Sequence, residues 1–148
     1  MIDQKIFEKY RNFHGVKGLI FCGEKILVYR RDTKTNSFPL YIDLPGGAKE
    51  ENESSFDSFK REVKEEFGID IEQKDIVYAK QYMSEMDSNK ESHFIVVKPD
   101  NISESDIIFG DEGLEYILLK PEEYINLNYA IKRQQYKVSE YLDWVNNS

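Results

Sequence analysis

The chain has 148 residues, 40% of them hydrophobic, and a formal net charge of −8 at pH 7. This length and composition predict one folded domain over residues 1–148, and a single cysteine excludes an internal disulfide framework. The acidic balance disfavours non-specific binding to duplex nucleic acid or to a membrane surface, which both carry negative charge. Because no apolar run approaches bilayer-spanning length and the first residues do not resemble a signal peptide, we expect a cytoplasmic protein.

The first third of the chain predicts a short helix and then a pair of strands. Apolar residues at helical spacing in residues 2–13 predict a short amphipathic helix. The segments VKGLIF and KILVYRR flank Gly23-Glu24, a pattern typical of two strands joined by a tight turn. A polar loop follows, and LYIDLP predicts a short extended segment that ends at Pro45.

The middle of the chain, LPGGAKEENESSFDSFKREVKEEFGI, predicts a helix with two distinct faces. Ser54 or Ser55 can cap a helix that runs to about Phe67, and Gly68 supplies its stop. An apolar stripe suited to packing on a sheet is formed by Phe56, Phe59, Val63 and Phe67. A second face, displaced by roughly a third of a turn and expected to be solvent-facing, carries Glu62, Glu65 and Glu66.

The last part of the chain predicts more strands and a terminal helix. IVYAKQYM and HFIVVK indicate a strand pair, and the loop between them, with Glu85 and Asp87, is interpreted as a plain hairpin connection. A long connector, NISESDIIFGDE, precedes a late strand, GLEYILL, and helical spacing returns towards the C-terminus. Together these elements predict an α+β fold in which helices cover a mixed sheet.

If the three helical glutamates served solubility alone, interleaved opposite charges would suit that purpose better. Like charges at these spacings repel by about 0.2–0.5 kcal/mol per pair. Clustered carboxylates are the hard oxygen ligands that Mg²⁺ or Mn²⁺ prefers, although a solvated face is the simpler interpretation of Glu-x-x-Glu-Glu by itself. The glycine pair Gly46-Gly47 allows a ligand to approach the main chain, and its carbonyl groups or Glu53 can reach the same site.

Taken together, these residues resemble the signature of the Nudix hydrolases, the MutT-like family, Gly-x5-Glu-x7-Arg-Glu-U-x-Glu-Glu-x-Gly-U, where U is a bulky aliphatic residue. Every position from Gly47 to Ile69 fits the signature. The resemblance implies an α/β/α sandwich with a mixed sheet, the signature loop and helix, and a C-terminal helix. It also implies hydrolysis of a diphosphate bond in a nucleoside diphosphate derivative, such as a nucleoside triphosphate or a nucleotide sugar. The reaction would be metal-dependent attack of water at phosphorus, and a homodimer is compatible with the family.

The resemblance also implies roles for individual residues. Glu65 and Glu66 are the strongest candidates for ligands of Mg²⁺, with Mn²⁺ as an alternative, and Glu62 is a further ligand or the general base. Glu53 supports the helix or joins a second metal, and Arg61 orients a glutamate without contacting substrate. Gly46 or Gly47 would lend a carbonyl oxygen.

A further acidic residue is expected from outside the signature. The candidates, for which a solvated loop is an equal alternative, are Asp111, Glu112 and Glu115, and Glu112 is the one placed to reach over the site.

Candidates for substrate binding lie before the signature. Arg30 and Arg31 end a predicted strand, where alternation lets only one of them face a phosphate, and a surface cation is the simpler interpretation. Phe38 or Tyr41 is a candidate for stacking on a nucleobase, and we expect a small nucleotide as the substrate.

Two alternative functions use the same fold. A catalytically silent nucleotide or ADP-ribose sensor is disfavoured because no signature carboxylate is missing. Removal of pyrophosphate from RNA 5′ ends is disfavoured because the sequence has no basic stripe to hold the RNA body.

Overall fold

The computed structural model describes residues 1–84 and 89–148, so Glu85 and Asp87 of the predicted hairpin loop lie outside the described residues. The strands are β1 (Phe13–Cys22), β2 (Lys25–Arg31), β3 (Ile42–Asp43), β4 (Gly46–Ala48), β5 (Ile76–Met83), β6 (Glu91–Val97) and β7 (Gly113–Leu119). The helices are α1 (Ser55–Phe67), α2 (Pro121–Tyr124) and α3 (Lys132–Asn146), with 3₁₀ turns at Gln4–Phe7, Gln73–Asp75 and Glu104–Asp106.

Strand β1 is the centre of a mixed sheet because it pairs with three neighbours along its length. Its first part runs parallel to β6 and antiparallel to β4, whereas its end pairs antiparallel with β2. Strand β5 extends the sheet beyond β6, and β2 also pairs with β3 and β7. The predicted strand pairs β1–β2 and β5–β6 are confirmed.

Alternating side chains along the strands divide the core between the two faces of the sheet. Ile95 and Val97 of β6 pack with the apolar stripe of α1, whereas Phe94 and Val96 pack with Val138 of α3. The sheet therefore lies between α1 and α3, which confirms the predicted α+β sandwich. Within the described ranges, no helix has the length and apolar character needed to cross a bilayer.

Helix α1 begins and ends where the sequence predicts. The Ser54 hydroxyl accepts the Asp57 N–H at 3.1 Å, and the Asp57 carboxylate accepts the Ser54 N–H at 3.1 Å, which completes a capping box. Gly68 takes a left-handed conformation with φ of 69° and donates its N–H to Lys64 O at 2.9 Å. These caps fix the axial position of the signature glutamates.

The predicted N-terminal helix is wrong: the structure has only the 3₁₀ turn at Gln4–Phe7 in that region. The backbone before this turn pairs with β5 instead, since Asp3 N donates to Ala79 O and Ala79 N donates to Met1 O. Phe13 already belongs to β1. Backbone pairing with the sheet edge therefore outweighs the helical spacing of the apolar residues.

Gly18 lies where β1, β6 and α1 meet, and we predict that Gly18→Ala destabilises the protein by about 3 kcal/mol. An added Cβ would collide with the backbone oxygen of Ile95 and lie 2.7 Å from a ring carbon of Phe59. Neither neighbour moves without disturbing the sheet or the helix. Urea unfolding followed by circular dichroism measures the change.

Gly23→Ala is the matched control, because an added Cβ there meets nothing within 4 Å although φ is +66°. We expect a loss of only about 1 kcal/mol, from the left-handed backbone alone. Equal destabilisation by the two substitutions would contradict the packing argument.

Candidate functional site

Three carboxylates from two distant parts of the chain meet beside Gly46-Gly47, the glycine pair that forms the signature turn. Oxygen atoms of Glu62, Glu66 and Glu112 all lie within 4.8 Å of one another. Glu62 and Glu66 are four residues apart on α1, so they lie one helical turn apart on the same face. Glu112 comes from the connector before β7.

Glu66 is the most buried member of this cluster, with only 6% of its surface exposed, so the expectation that it faces solvent is wrong. Its Oε1 accepts the Gly46 N–H at 3.4 Å, whereas its Oε2 is buried and has no hydrogen-bond partner within the described residues. Burial, reinforced by neighbouring Glu62, raises the pKa of Glu66 well above its ordinary value. The attraction of Lys17 only partly opposes this shift.

Glu112 reaches the cluster because its connector is hydrogen-bonded to the end of α1. Ile108 N donates to Phe67 O at 2.9 Å, and Gly110 N donates to Glu66 O at 2.8 Å. A Cβ on Gly110 would lie 2.7 Å from Glu65 O, so this close approach requires glycine. Partial burial, and then repulsion from Glu62 and Glu65, raises the pKa of Glu112.

The other two candidates from the connector lie elsewhere. Asp111 is exposed and does not belong to the carboxylate cluster. Glu115 accepts a hydrogen bond from Arg30 Nε at 2.8 Å, in the pairing of β2 with β7. Of the three acidic candidates outside the signature, the structure therefore brings only Glu112 to the other carboxylates.

Arg61 forms hydrogen bonds with several carboxylates of the signature. Its guanidinium contacts both oxygens of Glu53, at 2.8 and 3.1 Å, and Oε1 of Glu62 at 2.9 Å. It also donates to Ala48 O at 3.2 Å, which ties β4 to the helix. Glu65 lies at the outer side of this network, 3.4 Å from Arg61 and with its side chain 52% exposed. Glu65 is not one of the three carboxylates whose oxygens lie within 4.8 Å of one another, and its role as a ligand stays a prediction.

Glu53 is fully engaged in hydrogen bonds with the chain. Besides Arg61, it accepts from the Glu50 N–H and from the Ser58 hydroxyl, each at 2.7 Å. Burial opposes ionisation of Glu53, but the bonds from Arg61, Ser58 and Glu50 outweigh burial and lower its pKa to about 2. The sequence left two roles open for Glu53, support of the helix or binding of a second metal, and these contacts favour the first.

Both glycines of the signature turn are required by close contacts. Gly46 has φ of +127°, and a Cβ there would collide with the Val16 carbonyl of β1. A Cβ on Gly47 would lie 2.8 Å from an oxygen of Glu62. The Gly46 N–H points to Glu66, and Gly46 O accepts from Lys17 Nζ at 3.3 Å. Gly46 therefore directs its N–H towards a signature carboxylate and its carbonyl oxygen towards Lys17.

Sequence reasoning missed the buried ion pair beneath this turn. Lys17 Nζ lies 3.1 Å from Asp43 Oδ2 and also donates to Leu44 O, while Arg31 contacts the same oxygen of Asp43 at 2.8 Å. Burial disfavours the charge on Asp43, but the attraction and hydrogen bond of Lys17, the Leu44 N–H and the charge of Arg31 together outweigh burial and lower the pKa of Asp43. The available signal was a lone lysine in the apolar run VKGLIF, which needs a partner when buried.

A cavity of about 320 Å³ adjoins the turn, and only some of the predicted substrate-binding residues line it. Arg31 and Phe38 line this cavity together with Gly47 and Ala48 of β4. Arg30 is not in its lining and pairs with Glu115 instead. Tyr41 packs against Phe38, with ring centroids 5.3 Å apart, but lines a neighbouring recess. Only Arg31 of the arginine pair therefore faces the cavity beside the signature.

The carboxylate cluster has the donor set that suits a hard divalent cation. It offers oxygen atoms from Glu62, Glu66 and Glu112. Three neighbouring carboxylates repel one another, and one buried oxygen of Glu66 has no donor within the described part of the chain. A bound cation would relieve both costs.

Comparisons with known proteins agree with this geometry. The family model for the NUDIX domain matches residues 13–142 of the chain. A comparison with curated proteins gives no significant match.

Solved structures share the fold at low sequence identity. A MutT protein from Methanosarcina mazei Go1 is 23% identical, with a TM-score of 0.71 over 94% of this chain and 99% of that chain. An Ap4A hydrolase from C. elegans is 15% identical, with a TM-score of 0.68 over 90% and 99% of the two chains. A NUDIX hydrolase from Nitrosomonas europaea is 24% identical, with a TM-score of 0.63 over 82% and 64%.

The match to the family model covers all seven strands that the structure describes, helix α1 and most of α3, and the complete signature lies within it. Through its fold and its signature, this chain belongs to the Nudix family of hydrolases, which act on phosphorus anhydrides.

Proposed function

We propose that the protein hydrolyses a diphosphate bond in a nucleoside diphosphate derivative, with Mg²⁺ or Mn²⁺ held by Glu62, Glu66 and Glu112. The observation that carries this proposal is the meeting of these three carboxylates around a buried Glu66 oxygen that has no hydrogen-bond partner in the described chain. A small nucleotide fits better than a polymer because the net charge of −8 repels a nucleic acid backbone.

A cation is needed because an acidic site repels a diphosphate directly. When bound, the divalent ion would neutralise phosphate charge and lower the pKa of a coordinated water. The chain's contribution is to hold the carboxylates in place. Arg61 fixes Glu62 Oε1, the Gly46 N–H fixes Glu66 Oε1, and the connector fixes the position of Glu112.

Two carboxylates are placed to accept the proton of an attacking water. Glu62 borders Gly47 and is held by Arg61, whereas Glu112 lies on the connector at the open side of the cluster. Both are within reach of the same small volume, and general base catalysis requires only one of them.

Arg61, Glu53 and Glu65 act on the geometry of the site. The guanidinium of Arg61 is occupied by the chain's own oxygens, so we assign it a positioning role. Glu53 holds Arg61 and the start of α1. Glu65, bound to the outer side of Arg61, contributes less than Glu66 to cation binding in this arrangement.

A substrate screen tests the proposed activity. With Mg²⁺ present, we expect the purified protein to cleave at least one of the nucleoside triphosphates, nucleotide sugars or dinucleoside polyphosphates, and EDTA should abolish the turnover. Product analysis identifies the phosphorus that is attacked. If folded protein in Mg²⁺ and Mn²⁺ binds ADP-ribose but cleaves nothing, the silent-sensor function replaces this proposal. Pyrophosphate release from triphosphorylated RNA as fast as from free nucleotides would favour the RNA function.

Matched substitutions test the assignment of the carboxylates. We expect Glu66→Gln to lower kcat about a hundredfold or more, which is about 2.7 kcal/mol in the barrier, because the amide cannot replace a buried anionic ligand. Glu65→Gln should cost less, since Glu65 lies outside the cluster. The control is Glu51→Gln, an exposed residue of the preceding loop, which should retain wild-type turnover. Equal losses for Glu65→Gln and Glu66→Gln would refute the distinction drawn from burial.

The depressed pKa of Glu53 predicts a pH-dependent contribution to stability. Because the folded pKa is about 2 and the ordinary value is 4.5, the contribution is complete above about pH 4.5 and is lost as the pH falls towards 2. We expect Glu53→Gln to lower the free energy of unfolding by about 1–2 kcal/mol at pH 7. The difference from wild type should narrow between pH 4.5 and 3 in urea unfolding measurements. A constant difference over that range would show that the charge of Glu53 is unimportant.

A further inference from the structure

The cavity beside the signature turn is bounded by β1, β4 and the start of α3. Gly47 is part of its wall, and a Cβ added to Gly47 would lie 2.8 Å from Glu62, so this glycine borders both the cavity and the carboxylates. At about 320 Å³ the cavity is at the lower end of the size range of ligand sites. A substrate with its diphosphate at the carboxylates can therefore place an adjoining group in this cavity.

Gln134 is one of the residues that line this cavity, and its side-chain oxygen lacks a hydrogen-bond partner among the described residues. The residue lies in the first turn of α3, lines the cavity and is only 2% exposed. Its Oε1 is buried and has no hydrogen-bond partner among residues 1–84 and 89–148. A buried amide without partners is costly, and native proteins rarely keep one unless a ligand or water completes it.

The side-chain amide of the next residue, Gln135, is used in hydrogen bonds that stabilise the fold. Its side-chain amide donates to Tyr124 O and to Leu127 O, both at 2.9 Å, and so fixes the segment after α2. Gln134 and Gln135 are adjacent, equal in size and on the same helical turn. The contrast indicates that the amide of Gln134 is used for something other than the fold.

The charged groups nearest to the carboxylate side of the cavity already have partners. Lys17 and Arg31 both contact Asp43 Oδ2, at 3.1 and 2.8 Å. Arg133 and Lys137 lie over the rings of Phe38 and Tyr82, at 5.7 and 5.1 Å from the ring centroids. Phe38 supplies an aromatic surface at the same wall, which suits a planar occupant with polar edges.

We propose that Gln134 is a specificity-determining residue whose side-chain amide binds the hydrogen-bonding edge of a nucleobase seated in this cavity. A primary amide offers one acceptor and two donors, and bases carry neighbouring donors and acceptors that match it in pairs. The inference rests on the proposed function for its orientation, with the diphosphate at Glu62, Glu66 and Glu112. It adds the base as the group that the cavity selects.

The binding test needs no turnover. AMP, GMP, CMP and UMP are titrated into the protein with ribose 5-phosphate as the base-free reference, and dissociation constants are measured by NMR. We expect at least one nucleotide to bind wild type at least tenfold more tightly than ribose 5-phosphate does. Gln134→Leu, similar in size but unable to hydrogen-bond, should reduce that preference about tenfold and leave the affinity for ribose 5-phosphate within twofold.

Gln135→Leu is the matched control. It should lower the melting temperature because two backbone oxygens lose their donor, and its preference for the nucleotide over ribose 5-phosphate should stay as in wild type. Gln134→Leu should melt no lower than wild type, since no internal hydrogen bond of its side chain is lost. A marked drop in melting temperature for Gln134→Leu would instead indicate a structural role and overturn the proposal.

Kinetic measurements distinguish the role of Gln134 in base binding from the proposed hydrolysis of the diphosphate bond. On the best substrate of the screen, Gln134→Leu should raise KM about tenfold and change kcat by less than twofold. Hydrolysis by wild type with an unchanged KM in Gln134→Leu would overturn the role of Gln134 alone. Nucleotide binding that depends on Gln134, without hydrolysis of any substrate, would overturn the proposed function alone. Equal binding of ribose 5-phosphate and all four nucleotides would show that the base is not selected, and it would overturn the role of Gln134.

Discussion

The site depends on one cation of the chain, Arg61, which makes a crowded carboxylate helix compatible with a folded protein. Its guanidinium reaches Glu53 before α1, Glu62 within α1 and the backbone oxygen of Ala48 in β4. A planar fork of fixed donors suits this task better than an ammonium group, because it binds several oxygens at set angles. The loop, the strand and the helix of the signature are thereby held as one unit, and the positions of the remaining carboxylates follow from it.

Burial then divides the carboxylates that the helical spacing puts on one face. Glu66 lies beneath Gly46 and is almost fully buried, Glu62 is 12% exposed, and Glu65 is half exposed at the outer side of Arg61. Spacing alone treats the three as equivalent, since a helical wheel carries no information about the strand that crosses it. The glycine turn makes the difference, because Gly47 has no Cβ to keep β4 away from Glu62, and Gly46 has none to collide with β1.

Local signals in the sequence predicted most of the fold, and long-range contacts account for what they missed. The caps of α1, the turn between β1 and β2 and the alternation of the strands are short-range features, and the structure has each of them where expected. The N-terminal segment failed because its backbone pairs with β5, more than 70 residues away in the chain. The ion pair of Lys17 with Asp43 joins residues 26 positions apart, and its only signal in the sequence is a lone charge in an apolar run.

The contrast between short-range features and long-range contacts also applies to the functional site. Two of the three clustered carboxylates lie at fixed spacing on one helix and can be read from a short pattern, whereas Glu112 comes from the connector before β7. In our proposal, selection of the remaining group depends on the walls of the cavity, which come in part from β1, the loop before β3 and α3. The pair Gln134-Gln135 shows why such residues escape a sequence pattern. Two identical neighbours differ only in whether the folded chain supplies partners for their amides, and that difference exists only once α2 and α3 have packed together.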